Sequence, residues 1–312
     1  MNGVVASLHV LGAVPRETPR PRRSVSVVMV VYRTGEALRT ALDRVLADAL
    51  IDEFVIVDNG STLEEAAHLQ DLTRDPRVAL VSGQGNVGFA RGANLGAARA
   101  SGEVLVFLNP DAFLQAGCVA GLVRDLEACP GLCLVGGRVL NADRSEQRGG
   151  RRGEITPVSA LLSMSGLTRL PALRGFEVHW ETLELPEGAT PTPTISGACF
   201  AMRRADFLSV SGFDEGFFLH VEDVDLCWRV RKAGGAVLFS PRAEVVHIGG
   251  TSQTSPLKVE FHKGVGLARY FRKRAANPWQ WLWACVLSPL VIGLAVARPL
   301  ARRARRVRRV RG

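Results

Sequence analysis

From Ser24 onward, apolar and polar positions follow a regular order. SVSVVMVVY is an apolar run of strand length, and GEALRTALDRVLADAL then sets Ala37, Leu38, Ala41, Leu42, Val45 and Leu46 on one helical face. EFVIVD predicts a second strand, STLEEAAHLQDL a helix with Ser61 or Thr62 as N-cap, and RVALVSG a third strand. FARGANLGAARASG predicts a short helix ending at a glycine, and EVLVFLNPD a fourth strand stopped by Pro110. Strands alternating with helices across short loops call for an α/β fold, a mostly parallel sheet with helices on both faces. Ligands of such sheets sit beyond the carboxyl ends of the strands. There the chain places Tyr32 and Arg33, then Asp58, Asn59 and Gly60, then a glycine loop, then Asn109, Pro110 and Asp111.

The pattern changes twice more. Residues 1–23 form an N-terminal extension with a Pro-rich lead-in and no basic residue ahead of its apolar stretch, so a secretory signal is not expected. After residue 252, the segment 253–312 reads as helical, apolar and then basic. PWQWLWACVLSPLVIGLAVA, Pro278 to Ala297, approaches the roughly 20 residues that span a bilayer, with Trp279, Trp281 and Trp283 at its start. Pro289 and the basic residues on both sides favour a helix or hairpin lying in the cytoplasmic leaflet, peripheral on the inner face of the cell membrane; a single C-terminal span is the alternative.

Composition sharpens this picture. A chain of 312 residues that is 47% hydrophobic can bury a sizeable core. The formal charge is +9, but removing the eight arginines from Arg298 to Arg311 leaves +1, so the basic character is a local tail suited to an anionic surface. The tryptophans adjoin apolar residues and are not spaced among the arginines, which argues against nucleic acid as a partner. Six cysteines without metal or redox spacing read as buried free thiols in a reducing compartment.

SGQGNVGFARG contains Gly83, Gly85 and Gly88 at the spacing of a dinucleotide-binding loop, yet it follows the third strand and not the first. Glu103 also opens a strand where an acidic residue should close one, so the order of strands argues against a redox cofactor.

VVYRTGEALRTALDRVL, VDNGST, GNVGFARGANLG, FLNPDAF, GFDEGFFLHVEDVDLCWRVRKAGG and VVHIGGTS, taken together and in this order, resemble the family-two glycosyltransferases. The likeness runs from Ser24 to Ser252 and is greatest to bacterial rhamnosyltransferases that build cell-wall or polysaccharide linkers. It implies a GT-A fold for residues 24–252, a nucleotide-sugar donor, a divalent cation (Mn2+ or Mg2+) and inversion at the anomeric carbon. The family's acidic metal motif corresponds to Asn109-Pro110-Asp111, which makes Asp111 the metal contact and leaves Asn109 to orient ribose or water. His247 completes the metal site by the same likeness. Asp223 is the implied catalytic base, with Glu222 as the other candidate, while Asp225 fixes the start of a helix. Tyr32, Asp58, Asn86, Gly88, Arg91, Asn94 and Asn109 are the implied nucleotide-sugar contacts, Asp58 reading the base. Gly197 and Ala198 leave room for an acceptor sugar, and the Gly-, Pro- and Arg-rich stretch from Arg144 to Thr194 reads as a mobile cover.

The expected activity is transfer of L-rhamnose from dTDP-rhamnose to a lipid-linked or polysaccharide acceptor. UDP-hexose or UDP-galactofuranose donors share every motif, and a non-catalytic nucleotide-sugar-binding protein is the reading from another class.

Overall fold

A computed structural model describes residues 22–311, with side chains to residue 297. Most of the N-terminal extension, and the side chains of the arginine tail, lie outside the described residues.

The first half follows the hydrophobic pattern closely. Strands β1 (Val25–Val31), β2 (Glu53–Asp58), β3 (Val78–Val81) and β4 (Val104–Leu108) alternate with helices α1 (Ala37–Leu46), α2 (Leu63–Leu72) and α3 (Phe89–Arg99). Thr62, not Ser61, caps α2: its hydroxyl accepts the Glu65 N–H at 3.2 Å while the Glu65 carboxylate accepts the Thr62 N–H at 2.9 Å.

Then come β5 (Ala112–Leu114), α4 (Cys118–Ala128) and β6 (Cys133–Leu140). The stretch expected as a mobile cover contains β7 (Arg151–Arg152), α5 (Pro157–Ser165), two 3-10 turns (Leu167–Arg169 and Pro171–Phe176), β8 (Thr190–Pro191) and β9 (Thr194–Ile195). The chain continues through β10 (Cys199–Arg203), α6 (Arg204–Ser209), α7 (Glu222–Lys232), β11 (Ala236–His247), α8 (Pro256–Arg274) and α9 (Pro278–Arg311).

The main sheet runs β3-β2-β1-β4-β10-β6-β11-β5, with β8 beside β11. The first four strands in this order are parallel; β10 runs antiparallel to both β4 and β6, and β11 is parallel to β6. Period-two alternation divides the core between the faces. Val25, Val27, Met29 and Val31 of β1 join Leu38, Leu42, Val119 and Leu122 on one side. Val28 and Val30 join Ala93, Ala97, Phe207, Leu226 and Val230 on the other.

Two local features carry residues toward the site. The register of β11 against β6 shifts between Ser240 and Glu244, around Pro241, as expected where a strand proline gives up a ladder bond. Beyond this bend β11 also pairs antiparallel with β5, placing His247 opposite Ala112. Ahead of α7, His220 and Val221 have φ of 64° and 73°, a left-handed turn that costs a β-branched residue about 1–2 kcal/mol. The buried Val221 offsets this by packing with Leu267, Tyr270 and Phe271 of α8, where Gly266 leaves space.

Helices α8 and α9 form a closely packed hairpin: a Cβ on Gly264 would lie 2.9 Å from the Ile292 backbone. The described cysteines are all free, and all but the half-buried Cys285 are buried. Pro278–Ala297 is long and apolar enough to cross a membrane, and Pro289 lies inside a continuous helix. Trp279 and Trp283 are 73% and 62% exposed.

Candidate functional site

A cleft of about 690 Å3 opens at the carboxyl ends of β1 and β4, closed on the far side by residues 250–256 and the start of α8. Of the expected residues, Tyr32, Asn86, Gly88, Asn109, Asp111 and His247 line it, joined by Arg33, His220, Thr251, Lys258 and His262.

At its centre, the pairing of β5 with β11 brings Asp111 and His247 together although 136 positions separate them in the chain, with His247 Nε2 lying 3.1 Å from Asp111 Oδ1. Thr251 Oγ1 donates to Asp111 Oδ2 at 2.9 Å, and Asn109 Nδ2 lies 3.3 Å from His247 Nε2. Burial pushes the Asp111 carboxyl up, but the contacts with His247 and Thr251 outweigh it and hold the group below its ordinary value.

Gln147 sets the imidazole. Its Nε2 donates to the His247 carbonyl at 2.8 Å, which turns its Oε1 to His247 Nδ1 at 2.7 Å. Nδ1 therefore carries a proton, and Nε2 is the ring atom that faces Asp111. Nε2 and Asp111 Oδ1, 3.1 Å apart, share a proton when the ring is charged, and a cation can take the place of that proton when the ring is neutral. An imidazole oriented by the Gln147 amide and facing a carboxylate is a donor pair that fits a divalent ion. Among the described residues no three His, Cys, Asp or Glu side chains cluster at ligand spacing, so any further donors must come from groups such as Asn109 or from the substrate.

The nucleotide side is organised by Asn59, which is buried. Its Nδ2 donates to Gly88 O at 3.0 Å and Asn86 Oδ1 at 3.3 Å, and Asn86 Oδ1 also accepts the Gly88 N–H at 3.1 Å. Gly83 and Gly85 have positive φ but open space around them. Gly88 has φ of 84°, and a Cβ there would meet Phe218 O at 2.6 Å. The third glycine is thus required by the loop ahead of α7, which crosses it, as well as by the cleft that it lines.

Other expected contacts fall elsewhere. Asn94 is turned away from the cleft: its Oδ1 accepts the Phe213 N–H and its Nδ2 donates to Phe213 O, both at 2.9 Å, while Arg91 is exposed and 3.8 Å from Glu215. The reason is the orientation of α3, which buries Ala90, Ala93 and Ala97 against the sheet and so faces these polar residues toward the 213–215 loop. Asp58 is also outside the lining; its Oδ1 caps the following turn, accepting the Gly60 and Ser61 N–H groups at 3.0 and 2.7 Å.

Asp223 and Glu222 do not line the cleft either, but adjoin it. His220 on the same turn lines it, and Gly197, whose N–H donates to Asp223 Oδ2 at 3.0 Å, precedes Ala198, whose carbonyl accepts the Asn109 N–H at 2.9 Å. The two carboxyls differ sharply. Burial alone would raise Asp223, but Arg152, 2.6 Å away, together with backbone N–H bonds, holds it below its ordinary value. Glu222 is pushed up to about 8, first by burial and then by the Asp223 charge, and its buried Oε2 has no hydrogen-bond partner. Asp225, expected to fix the helix start, is fully buried and binds Arg229 at 2.7 Å and Lys273 at 2.8 Å, tying α7 to α8.

Gln147 and Arg152 escaped the sequence reading because they lie in an irregular stretch without periodicity. Thr251 stands within the VVHIGGTS motif and was accessible there.

Comparison with known proteins agrees with this geometry. The sequence model described as Glycosyl transferase family 2 matches residues 26–210. The N-acetylglucosaminyl-diphospho-decaprenol L-rhamnosyltransferase of Mycobacterium tuberculosis is 29% identical over 235 residues, covering 71% of this chain and 75% of that protein. The O-antigen biosynthesis protein RfbC of Myxococcus xanthus is 27% identical across 85% of this chain, which spans only 20% of that protein. In fold, the chain is similar to the Pyrobaculum calidifontis mannosyltransferase solved with GDP-Man and Mn2+, with a TM-score of 0.57, 18% identity, and coverage of 92% of this chain and 76% of that one. It is also similar to GalNAc-T7 solved with UDP, GalNAc and Mn2+, with a TM-score of 0.56, 18% identity, and coverage of 75% of this chain and 45% of that one. With more than half of its length matched and a GT-A sheet beneath the cleft, the chain belongs to glycosyl transferase family 2 and is a glycosyltransferase.

Proposed function

We propose that this enzyme transfers L-rhamnose from dTDP-rhamnose, with inversion, to a lipid-linked saccharide at the cytoplasmic surface of the membrane. The observation that carries the reading is the facing pair Asp111 and His247 inside a cleft walled by Tyr32, Asn86, Gly88 and Asn109, with the ionised Asp223 beside it. The relatives named as a rhamnosyltransferase acting on a decaprenol-linked sugar and as an O-antigen biosynthesis protein support the transferred sugar and the acceptor class.

In this reading Asp111 and His247 would hold a divalent cation, whose charge would offset that of the leaving diphosphate. Asn86 and Gly88, pinned by Asn59, shape the nucleoside wall, and the Tyr32 ring closes it. The acceptor hydroxyl oxygen forms a bond to the sugar C1 while its proton passes to the Asp223 carboxylate. The C1–O bond to the diphosphate breaks, its electron pair leaves with the phosphate oxygen, and the configuration at C1 inverts. Glu222, neutral near pH 7, has no vacancy for that proton.

Thermal shifts with a panel of nucleotide sugars, each with Mn2+ or with chelator, test the donor and the cation together. The expected result is stabilisation by dTDP-rhamnose that requires the metal. Stabilisation by a UDP-hexose or UDP-galactofuranose alone replaces the donor, and shifts indifferent to chelation remove the cation from Asp111 and His247.

A further inference from the structure

Arg152 ends β7, a two-residue strand paired with β9 at the rim of the site. Its Nη2 donates to Asp223 Oδ2 at 2.6 Å and to the Ile195 carbonyl at 3.0 Å. The segment bearing it is fastened from both helices behind it: Glu154 pairs with Arg231 of α7 at 2.7 Å and with Arg274 of α8 at 2.6 Å, and Arg274 also donates to Ile155 O at 2.8 Å. Its guanidinium is therefore a built element of the site and not a surface charge that happens to be near.

The bonds to Asp223 are unevenly divided. Oδ2 accepts two, from Arg152 and from the Gly197 N–H at 3.0 Å, whereas Oδ1 accepts one, from the Val224 N–H at 2.8 Å. The side chains of Arg152 and Asp223 remain 16% and 14% exposed.

The geometry points to Arg152 as a positioning residue for sugar transfer: it locks Asp223 Oδ2 so that Oδ1 is the oxygen presented to the acceptor hydroxyl. The inference rests on Asp223 serving as the base. The arginine charge also matters, because Asp223 shares its neighbourhood with Glu222 and Cys227 of α7 and with His220 of the preceding turn, which Lys263 and His262 of α8 face in their turn. With the cation removed, Asp223 loses its principal counter-charge beside a second carboxyl.

Full-length Arg152→Gln and Arg152→Lys enzymes, assayed for transfer across pH, provide the test. Arg152→Gln is expected to move the acid limb of kcat/KM upward by about one pH unit or more, because an opposite charge at this range holds a carboxyl down by that much. Its kcat should fall on the order of tenfold or more while donor KM stays within about twofold, since the fault lies in orientation of the base and not in donor binding. Arg152→Lys should return the acid limb to its place but only part of kcat, as an ammonium cannot hold Asp223 Oδ2 and Ile195 O in the same fork. A Gln variant whose pH profile superimposes on the parent, or whose defect lies wholly in donor KM, overturns the inference. If the Gln variant does not fold, the Lys variant decides, and unchanged kcat across pH rejects the role. Asp223→Asn, run in parallel, separates the two ideas. If it transfers normally, the base reading is lost; if it is inactive while Arg152→Gln keeps the parental pH limb, only the role of Arg152 is lost.

Discussion

Glu222 and Asp223 are adjacent in sequence, yet burial and the Asp223 charge push Glu222 up, while hydrogen bonds from Arg152 and the Gly197 N–H, which only Asp223 receives, hold Asp223 down. Asp223→Asn should therefore lower kcat by about 10²–10⁴-fold, the usual worth of a positioned base. Glu222→Gln replaces a neutral acid with a neutral amide of the same shape and should leave transfer at pH 7 within about threefold, far short of the loss of a base. Parallel transfer assays read both, and the reverse pattern would exchange the roles. Glu222 also has a stability signature. Its folded pKa of about 8 lies above its ordinary 4.5, so between those values the folded chain holds a proton that the unfolded chain has released. Stability should decline as pH rises through that window, and Glu222→Gln should flatten the decline. Urea midpoints at pH 5 and pH 8 for both proteins provide the comparison.

Among elements, the glycine loop and the turn before α7 depend on each other. Gly88 N–H bonds Asn86, Phe89 N–H donates to Phe218 O at 2.7 Å, and the missing Cβ of Gly88 is the space that Phe218 O occupies. Gly83→Ala should cost about 1 kcal/mol for its left-handed backbone alone. Gly88→Ala adds a contact of 2.6 Å with the Phe218 carbonyl and should cost about 3 kcal/mol or more, with weakened donor affinity as well. Denaturant titration ranks the two, and equal losses would mean that the loop before α7 shifts freely. The Arg144–Thr194 stretch behaves as an element too: it delivers Gln147 to His247 and Arg152 to Asp223, so both halves of the site depend on it.

Across the whole molecule, α8 joins the site to the C-terminal hairpin. Its first turns line the cleft with Lys258 and His262, and its last turn holds Glu154 through Arg274. The α9 helix that packs on it exposes Trp279, Trp281, Trp283, Val286 and Leu290. An apolar face beside a basic tail matches an anionic lipid surface, with about 1 kcal/mol from each basic residue near the headgroups. Flotation with vesicles containing anionic lipid should carry the full chain upward, and Ser at positions 279, 281 and 283 together should reduce that recovery while transfer to a water-soluble acceptor persists. Recovery unchanged by the substitutions would take the tryptophans out of the contact.

The hydrophobic pattern sets the alternating strands and helices, because apolar runs and a 3.6-residue period are local and survive without knowledge of neighbours. The sequence by itself also determined which residue types gather at the carboxyl ends of the first four strands, including Asn109 and Asp111. Local periodicity left open which of them meet, although the motif resemblance already joined His247 to Asp111. His247 faces Asp111 because β11 bends near Pro241 and pairs with β5, a long-range register that no local pattern encodes. The turn of α3 against the sheet sends Asn94 to Phe213 and Arg91 toward Glu215, and a short ribbon from an irregular stretch brings Arg152 to Asp223. Periodicity fixes which face of an element is buried, but the partner of each polar group depends on packing between distant segments.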